Sequence, residues 1–385
     1  MALVPNEIVK LYEEHFGTGA TPEIYRAPGR VNLIGEHTDY NLGFVFPIAL
    51  EMACYIAIAP ANHDKLRVYS RDVAAEHSVS VHDVGEARPT GTWSDYVVGV
   101  ARELVRDAVP LHGCNMYIES EVPPGSGLSS SAAIEIATAM ALVGPRNLEK
   151  LEIARLGQRA EIQFVGMPCG IMDQYASVFG QEGAAIQLDC RNLSHKYVEL
   201  PHTVRIIAVN SLVKHELGTS AYRHRVAECR EAVEIVQRTF PEVQSLRDVT
   251  PEMFEKVKDD MPEVPRRRAR HVISDSLRVL QLGDAARAHD LIGMGKLFLA
   301  SHHSMKEDYE ITCPEIDFLV DKATELPGVY GARMTGGGFG GCTVNLVAPE
   351  SLEQFRDELS AAYQERFGIQ PAFYDCQPAS GAGHI

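Results

Sequence analysis

Apolar and polar side chains alternate along Asn115-Met116-Tyr117-Ile118-Glu119-Ser120-Glu121-Val122, which predicts a half-buried strand. The run Ile134-Glu135-Ile136-Ala137-Thr138-Ala139-Met140-Ala141-Leu142 is rich in helix formers and predicts a helix. Between them, Pro123 and Pro124 end the strand, and a glycine- and serine-rich loop runs from Gly125 to Ser131. Upstream, Asn6 to His15 sets Ile8, Val9, Leu11 and Tyr12 near one face of a predicted helix. The longest apolar stretch, Phe44 to Pro60, carries Pro47, Glu51 and Pro60, so it reads as two strands and not as a membrane span. Leu66 to Asp72 reads as a strand and turn. Beyond about Gly180 the pattern changes to strands at Ala184–Asp189 and Val204–Asn210. That change sets an expected division into a lobe of residues 1–180 and a lobe of residues 181–385.

With 385 residues, the chain can fill one large or two ordinary domains with their own cores. Its hydrophobic share of 45% is that of a globular protein in water. Lys and Arg number 36 against 52 Asp and Glu, a net charge of −16. This weighs against nucleic acid or an anionic membrane as the main partner. It leaves room for an anionic ligand, because one arginine and a bound cation can reverse the field inside a cleft. The eight cysteines show no C-x-x-C spacing and read as reduced thiols of a cytoplasmic protein. Met1 to Lys10 has no apolar core, so no secretory leader is expected.

The loop after the alternating strand has the chemistry of a phosphate site. Gly125 and Gly127 permit backbone torsions that other residues resist. Ser129, Ser130 and Ser131 fall where the helix starts, and a helix start presents free N–H groups and partial positive charge. An ordinary serine-capped helix has the same local pattern, so the loop alone leaves both readings open. There is no G-x-x-x-x-G-K-[ST] and no H-R-D or D-F-G, which excludes a P-loop protein and a protein-kinase fold. The stretch Tyr25 to Gly43 is more telling. Arg30, Glu36, His37 and Asp39 fall within ten positions, punctuated by glycine and proline, and convergent polar groups in a constrained loop serve a ligand. Gly331 to Val344 formally contains G-x-G-x-x-G, but a strand follows instead of a helix, so the dinucleotide reading fails. Arg266-Arg267-Arg268-Ala269-Arg270 opens an apolar helix in an acidic chain and reads as a solvated face. His302-His303 is assigned no metal.

Taken together these stretches resemble a known family. GRVNLIGEHTDYN-x-G-x-V-x-P, from Gly29 to Pro47, is similar to the galactokinase signature. Pro123 to Ala133 resembles the phosphate loop of the GHMP kinase superfamily, Gly166 to Gln174 resembles the family's G-x-x-C-G-I-M-D-Q, and Gly331 to Val344 resembles its third motif. The resemblance runs from about Arg26 to Gly383. It implies an α+β, two-lobed GHMP kinase fold, with a ribosomal-S5-like amino-terminal lobe, a ferredoxin-like carboxy-terminal lobe and the site in the cleft between them.

The implied reaction is transfer of a phosphoryl group from ATP to the anomeric hydroxyl of α-D-galactose. The resemblance gives Asp173 as the catalytic base and sets Arg30 between the sugar and the transferring phosphate. Glu36, His37, Asp39, Gly170, Asp173 and Tyr222 are expected against the sugar. Gly125, Ser126, Gly127, Leu128, Ser129, Ser130 and Ser131 are expected against the nucleotide, with Gly336, Gly337 and Gly338 approaching the phosphates or bracing the first motif. Ser70 is either a nucleotide contact or a turn hydroxyl, and Trp93 either lies near adenine or belongs to the core. Mg²⁺ is expected on Ser131 and Glu161, since that ion takes one or two protein ligands beside phosphate oxygens. Two alternatives stay open: an N-acetylgalactosamine kinase, and a galactose- and ATP-binding sensor. The sensors carry a shortened phosphate loop, whereas Ser129-Ser130-Ser131-Ala132-Ala133 is complete.

Overall fold

The computed structural model describes residues 5–144, 146, 148–214 and 218–385. Its strands are β1 (Glu23–Asn32), β2 (Phe44–Val45), β3 (Pro47–Pro60), β4 (Lys65–Ser70), β5 (Ala75–Ser80), β6 (Cys114–Ser120), β7 (Ala184–Asp189), β8 (Ser194–Glu199), β9 (Arg205–Lys214), β10 (Val329–Thr335), β11 (Gly340–Val347), β12 (Ala372–Asp375) and β13 (Gly383–His384). Its helices are α1 (Pro5–Phe16), α2 (Ser94–Arg106), α3 (Ser130–Val143), α4 (Lys150–Ala160), α5 (Met172–Phe179), α6 (Gly218–Val236), α7 (Pro251–Val257), α8 (Glu263–Arg287), α9 (Leu291–Ser304), α10 (Pro314–Glu325) and α11 (Leu352–Phe367). Two π-turns extend helices, Glu161–Val165 after α4 and Met305–Tyr309 after α9. Such turns concentrate at functional sites, and both matter below.

The first sheet has the order β13-β1-β3-β6-β4-β5 and is antiparallel except for the β4–β6 pair. Both of its faces are covered, which is why β3 is buried along most of its length instead of alternating. On one face α1 lays Ile8 and Tyr12 against Ile24, Ala53, Tyr55, Ala57 and Tyr117. On the other, α3 and α5 pack on β1 and β3, and α2 and α4 close over α3. The strand and helix predicted at 115–122 and 134–142 are β6 and the body of α3, and the apolar stretch 44–60 divides into β2 and β3 at Pro47.

The second sheet has the order β10-β11-β9-β12. Along the chain it runs β9, then, after α6–α9, α10, β10, β11, α11, β12, with every pair antiparallel. That is the β-α-β-β-α-β pattern of a ferredoxin-like unit. Side chains of α10 and α11, among them Leu319, Phe355 and Tyr363, form its core with Ile207 and Val209. A separate helical core joins α6, α7, α8 and the second π-turn.

A short third sheet, β2-β7-β8, crosses the expected division at residue 180: β7 and β8 pair back onto β2. The tail also returns, since β13 pairs with the edge of β1. All eight cysteines are free, and all but Cys169 are buried. Among the described residues no helix is long and apolar enough to cross a membrane.

The arginine run at 266–270 departs from expectation. It does lie in the first turns of α8, but Arg268 is 2% exposed. It pairs with Glu228 and Glu310 at 2.6 and 2.8 Å and donates to the Asp308 carbonyl at 2.6 Å. A helix wheel drawn on one helix cannot show that carboxylates from two other elements converge on this position.

Candidate active site

The loop between β6 and α3 is built by its glycines and by one internal bond. Gly125 and Gly127 have φ of 70° and 82°, where an L side chain is strained. The Ser126 hydroxyl donates to the Pro123 carbonyl at 2.7 Å and closes the turn. Leu128 is fully buried in the core. Ser126 and Leu128 therefore shape the loop from within, while Gly125, Gly127, Ser129, Ser130 and Ser131 line a cavity of about 450 Å³. Ser129 precedes α3 with φ of 62°, an uncommon region for a residue with a Cβ. Its hydroxyl does not cap the helix. It donates to Asp173 Oδ2 at 2.5 Å.

Asp173 lies in the first turn of α5, and Arg30 lies on β1. Arg30 grips the carboxylate with two bonds, Nε to Oδ1 at 2.8 Å and Nη2 to Oδ2 at 2.6 Å. Its remaining arm, Nη1, donates to the Gly127 carbonyl at 2.6 Å. One planar guanidinium so joins the carboxylate to the phosphate loop, a geometry a lysine cannot copy. The neighbouring glycine makes this approach possible: a Cβ on Gly29 would stand 2.6 Å from the Leu128 carbonyl oxygen.

The polar stretch after β1 forms the opposite wall. Glu36 is 1% exposed, and its carboxylate accepts from Arg333, from the Thr335 hydroxyl at 3.1 Å and from the Gly336 N–H at 3.1 Å. Burial still pushes its pKa up, against the pull of Arg333. His37 has both ring nitrogens engaged, Nδ1 with the Tyr40 hydroxyl at 2.8 Å and Nε2 with the Gly337 carbonyl at 3.2 Å. Asp39 is pushed up to about 6, first by burial and then by the nearby charge of Asp173. Gly170 explains itself here: a Cβ on it would meet Asp39 Oδ2 at 2.0 Å. Tyr222 stands on α6 with its ring 4.8 Å from that of His37. His215, Glu216 and Leu217, a few positions before it in the chain, lie outside the described residues.

Two carboxyls stand close together near Ser131. Glu161 begins the first π-turn, lines the cavity and hydrogen-bonds the Ser131 hydroxyl. Glu135, fully buried on α3, shares a donor with it: Gln174 Nε2 lies 2.9 Å from Glu135 Oε2 and 2.7 Å from Glu161 Oε2. Burial, then mutual repulsion, raises Glu135 well above the ordinary carboxylate range, and burial with the charge of Asp173 raises Glu161.

The cavity thus collects Arg30, Glu36, His37, Asp39, Glu161, Gly170, Asp173, Tyr222, the phosphate loop and Gly336–Gly338. Gly336 packs closely on Gly127: a Cβ on it would stand 3.1 Å from the Gly127 carbonyl oxygen. Ser70 and Trp93 do not line it. Ser70 is buried at the end of β4, and Trp93 packs against the core ahead of α2. One helical turn on, Tyr96 reaches the cavity instead. Sequence reasoning assigned no role to Tyr96, Glu135, Gln174, Arg223 or Arg333. Glu135 did carry a signal, an acid inside an apolar helical run. His302 is a structural residue, accepting from the Met334 N–H at 3.4 Å and facing Asp317.

Comparison with known proteins gives matches along most of the chain. Residues 10–60 match a galactokinase galactose-binding signature, residues 95–181 the GHMP kinase N-terminal domain and residues 283–365 the GHMP kinase C-terminal domain. A galactokinase of Roseiflexus sp. (strain RS-1) is 42% identical over 381 residues, covering 98% of this chain and 97% of its own. One from Glaesserella parasuis is 41% identical, with 96% of each chain covered. The crystal structure of Lactococcus lactis galactokinase complexed with galactose superposes with a TM-score of 0.95, at 35% identity and full coverage of both chains. The Methanococcus jannaschii mevalonate kinase, at 18% identity and a TM-score of 0.66, shares the fold, covering 94% of this chain and all of its own.

Proposed function

The chain belongs to the galactokinase family, and from that membership and the site's geometry we propose that it phosphorylates α-D-galactose. ATP supplies the terminal phosphoryl group, and galactose 1-phosphate and ADP are the products. The observation that carries the proposal is the Arg30–Asp173 pair, lashed to the phosphate loop inside one cavity.

The residues have distinct tasks. In the described bonds the Asp173 carboxylate accepts twice from Arg30 and once from Ser129, which leaves it a lone pair for a sugar hydroxyl. The anomeric hydroxyl is more acidic than a plain alcohol, so an ionised carboxylate suffices as its base. As the anomeric oxygen bonds to the γ-phosphorus, the bond to the β-phosphate oxygen breaks, the proton passes to Asp173, and ADP leaves. Arg30 holds the Asp173 carboxylate in place and stands ready for the charge on the moving phosphoryl group. The backbone N–H groups at the start of α3 receive phosphate oxygens. Asp39 and Tyr222 orient the sugar, and Glu36 and His37 present groups already tied in place. Catalysis here is chiefly positioning and electrostatics.

Glu161 and Ser131 would hold Mg²⁺. Their oxygens suit a hard cation, and Glu161 lines the cavity beside the Ser131 hydroxyl. When bound, the ion neutralises β- and γ-phosphate oxygens. A cytoplasmic location goes with ATP as donor and with eight unpaired thiols.

Galactose-dependent ADP release by the purified protein tests the reading, with N-acetylgalactosamine as the parallel substrate. Release with galactose supports it. Release only with N-acetylgalactosamine, or binding of galactose and ATP without turnover, rejects it.

A further inference from the structure

A carbonyl oxygen accepts hydrogen bonds and never donates. His37 Nε2, 3.2 Å from the Gly337 carbonyl, therefore carries the ring proton. Burial drives the His37 pKa down to about 3, so the ring is neutral and Nδ1 is bare. Nδ1 must accept, and its partner at 2.8 Å is the Tyr40 hydroxyl. With its proton committed, the Tyr40 oxygen accepts from the Tyr309 hydroxyl, also at 2.8 Å. The Tyr309 oxygen in turn faces the Cys229 thiol at 3.0 Å. One carbonyl fixes the direction of every proton in this buried chain.

The far end of the chain is held hard. Tyr309 is fully buried and ends the second π-turn. Arg225 donates to its carbonyl at 2.7 Å and to the Glu310 carbonyl at 2.8 Å. Arg268 donates to the Asp308 carbonyl just before it. The Tyr309 ring packs 5.0 Å from that of His37 and 4.3 Å from that of His271. His271 itself donates to the Glu36 carbonyl at 3.1 Å, since that oxygen can only accept. Neither Tyr309 nor Cys229 lines the cavity.

We propose that Tyr309 is a positioning residue for the sugar pocket, acting through Tyr40 to hold the His37 ring in its Nε2–H tautomer against Gly337. It thereby fixes the wall that His37 and Tyr222 present to the sugar. The pocket role rests on the sugar-kinase reading, and the tautomer does not.

Tyr309→Phe removes one hydroxyl and leaves the ring. It should raise the galactose KM about fivefold, the scale of one lost hydrogen bond, and leave the ATP KM within about twofold. Tyr40→Phe should show the same galactose-selective effect. In the double variant the second change should add nothing, because both act through one chain. Should Tyr309→Phe fail to fold, Tyr40→Phe carries the kinetic test alone. An unchanged galactose KM, an equal rise for both substrates, or full additivity overturns the proposal. Nitrogen-15 spectra of the histidine-labelled wild type supply the arm that needs no substrate. A protonated Nε2 and bare Nδ1 on His37 support the chain, and a protonated Nδ1 overturns it. If galactose does not bind the wild type at all, the sugar reading and the pocket role fall together.

Discussion

Arg30 meets Asp173 edge to edge across 143 residues of sequence, Nε on one carboxylate oxygen at 2.8 Å and Nη2 on the other at 2.6 Å. The third contact of the same guanidinium, to the Gly127 carbonyl, ties that pair to the phosphate loop. Arg30→Lys keeps a positive charge but loses the fork. It should lower kcat by about 100-fold, the scale of one lost transition-state donor, with a much smaller change in the ATP KM. Steady-state kinetics in both substrates checks this.

Gly170 has no space for a methyl group, because a Cβ there would stand 2.0 Å from Asp39 Oδ2. Gly170→Ala must displace either the Asp39 carboxylate or the loop before α5. The expected result is a fall of about tenfold or more in kcat/KM for galactose, the cost of overpacking a tight contact. Nucleotide binding, measured by calorimetry without sugar, should stay near wild type.

Asp39 has a pH signature. Its pKa is raised to about 6 by burial and by the charge of Asp173. An unfolded aspartate titrates near 3.9. Between those two values the native chain holds a proton that the unfolded chain has lost, so this group's contribution to stability declines as pH rises through the window. Above about pH 6 the penalty is complete, at most about 3 kcal/mol. Asp39→Asn should therefore gain stability relative to wild type at pH 7.5 and not at pH 4, in denaturant titrations. The same variant should bind galactose poorly.

Arg333 and Glu36 form a pair that is almost wholly buried, at 0% and 1% side-chain exposure. Arg333→Met leaves the Glu36 carboxylate without its main counter-charge and should cost about 3–5 kcal/mol of stability. Adding Glu36→Gln should recover part of that loss, since a neutral amide needs no counter-charge. Equal destabilisation in the single and double variants would show that the methionine disturbs packing and not charge.

Glu161→Gln removes the carboxylate proposed for Mg²⁺ while keeping the shape. The Mg²⁺ concentration for half-maximal turnover should rise about tenfold or more, with the galactose KM unchanged at saturating Mg²⁺. A matched rise in both would mean that Glu161 supports the fold of the cavity and not the metal.

Much of this site could be read before any coordinates. Arg30, Glu36, His37 and Asp39 sit in one short constrained loop, and Gly125–Ser131 and Gly166–Gln174 are equally local, so their density of glycine and charge is visible in one dimension. The ferredoxin-like sheet was less visible, because its strands are separated by α6–α10 and its order depends on long-range pairing. Arg268, Tyr309 and Gln174 escaped for the same reason. Each acts through partners at distant positions: Glu228 and Glu310 for Arg268, Tyr40 for Tyr309, and Glu135 and Glu161 for Gln174. Trp93 left two readings open because an aromatic at a helix start fits a ligand pocket or a core equally well; it packs against the core, and α2 turns Tyr96 toward the cavity.

The most direct test is Asp173→Asn, which keeps the size of the side chain and removes its capacity to take a proton. Galactose-dependent ADP release should fall by about 100-fold to 10,000-fold, the range for loss of a general base, while calorimetry finds ADP binding within about threefold of wild type. Turnover at the wild-type rate would contradict the account, because no other carboxylate is held to both Arg30 and the phosphate loop among the described residues.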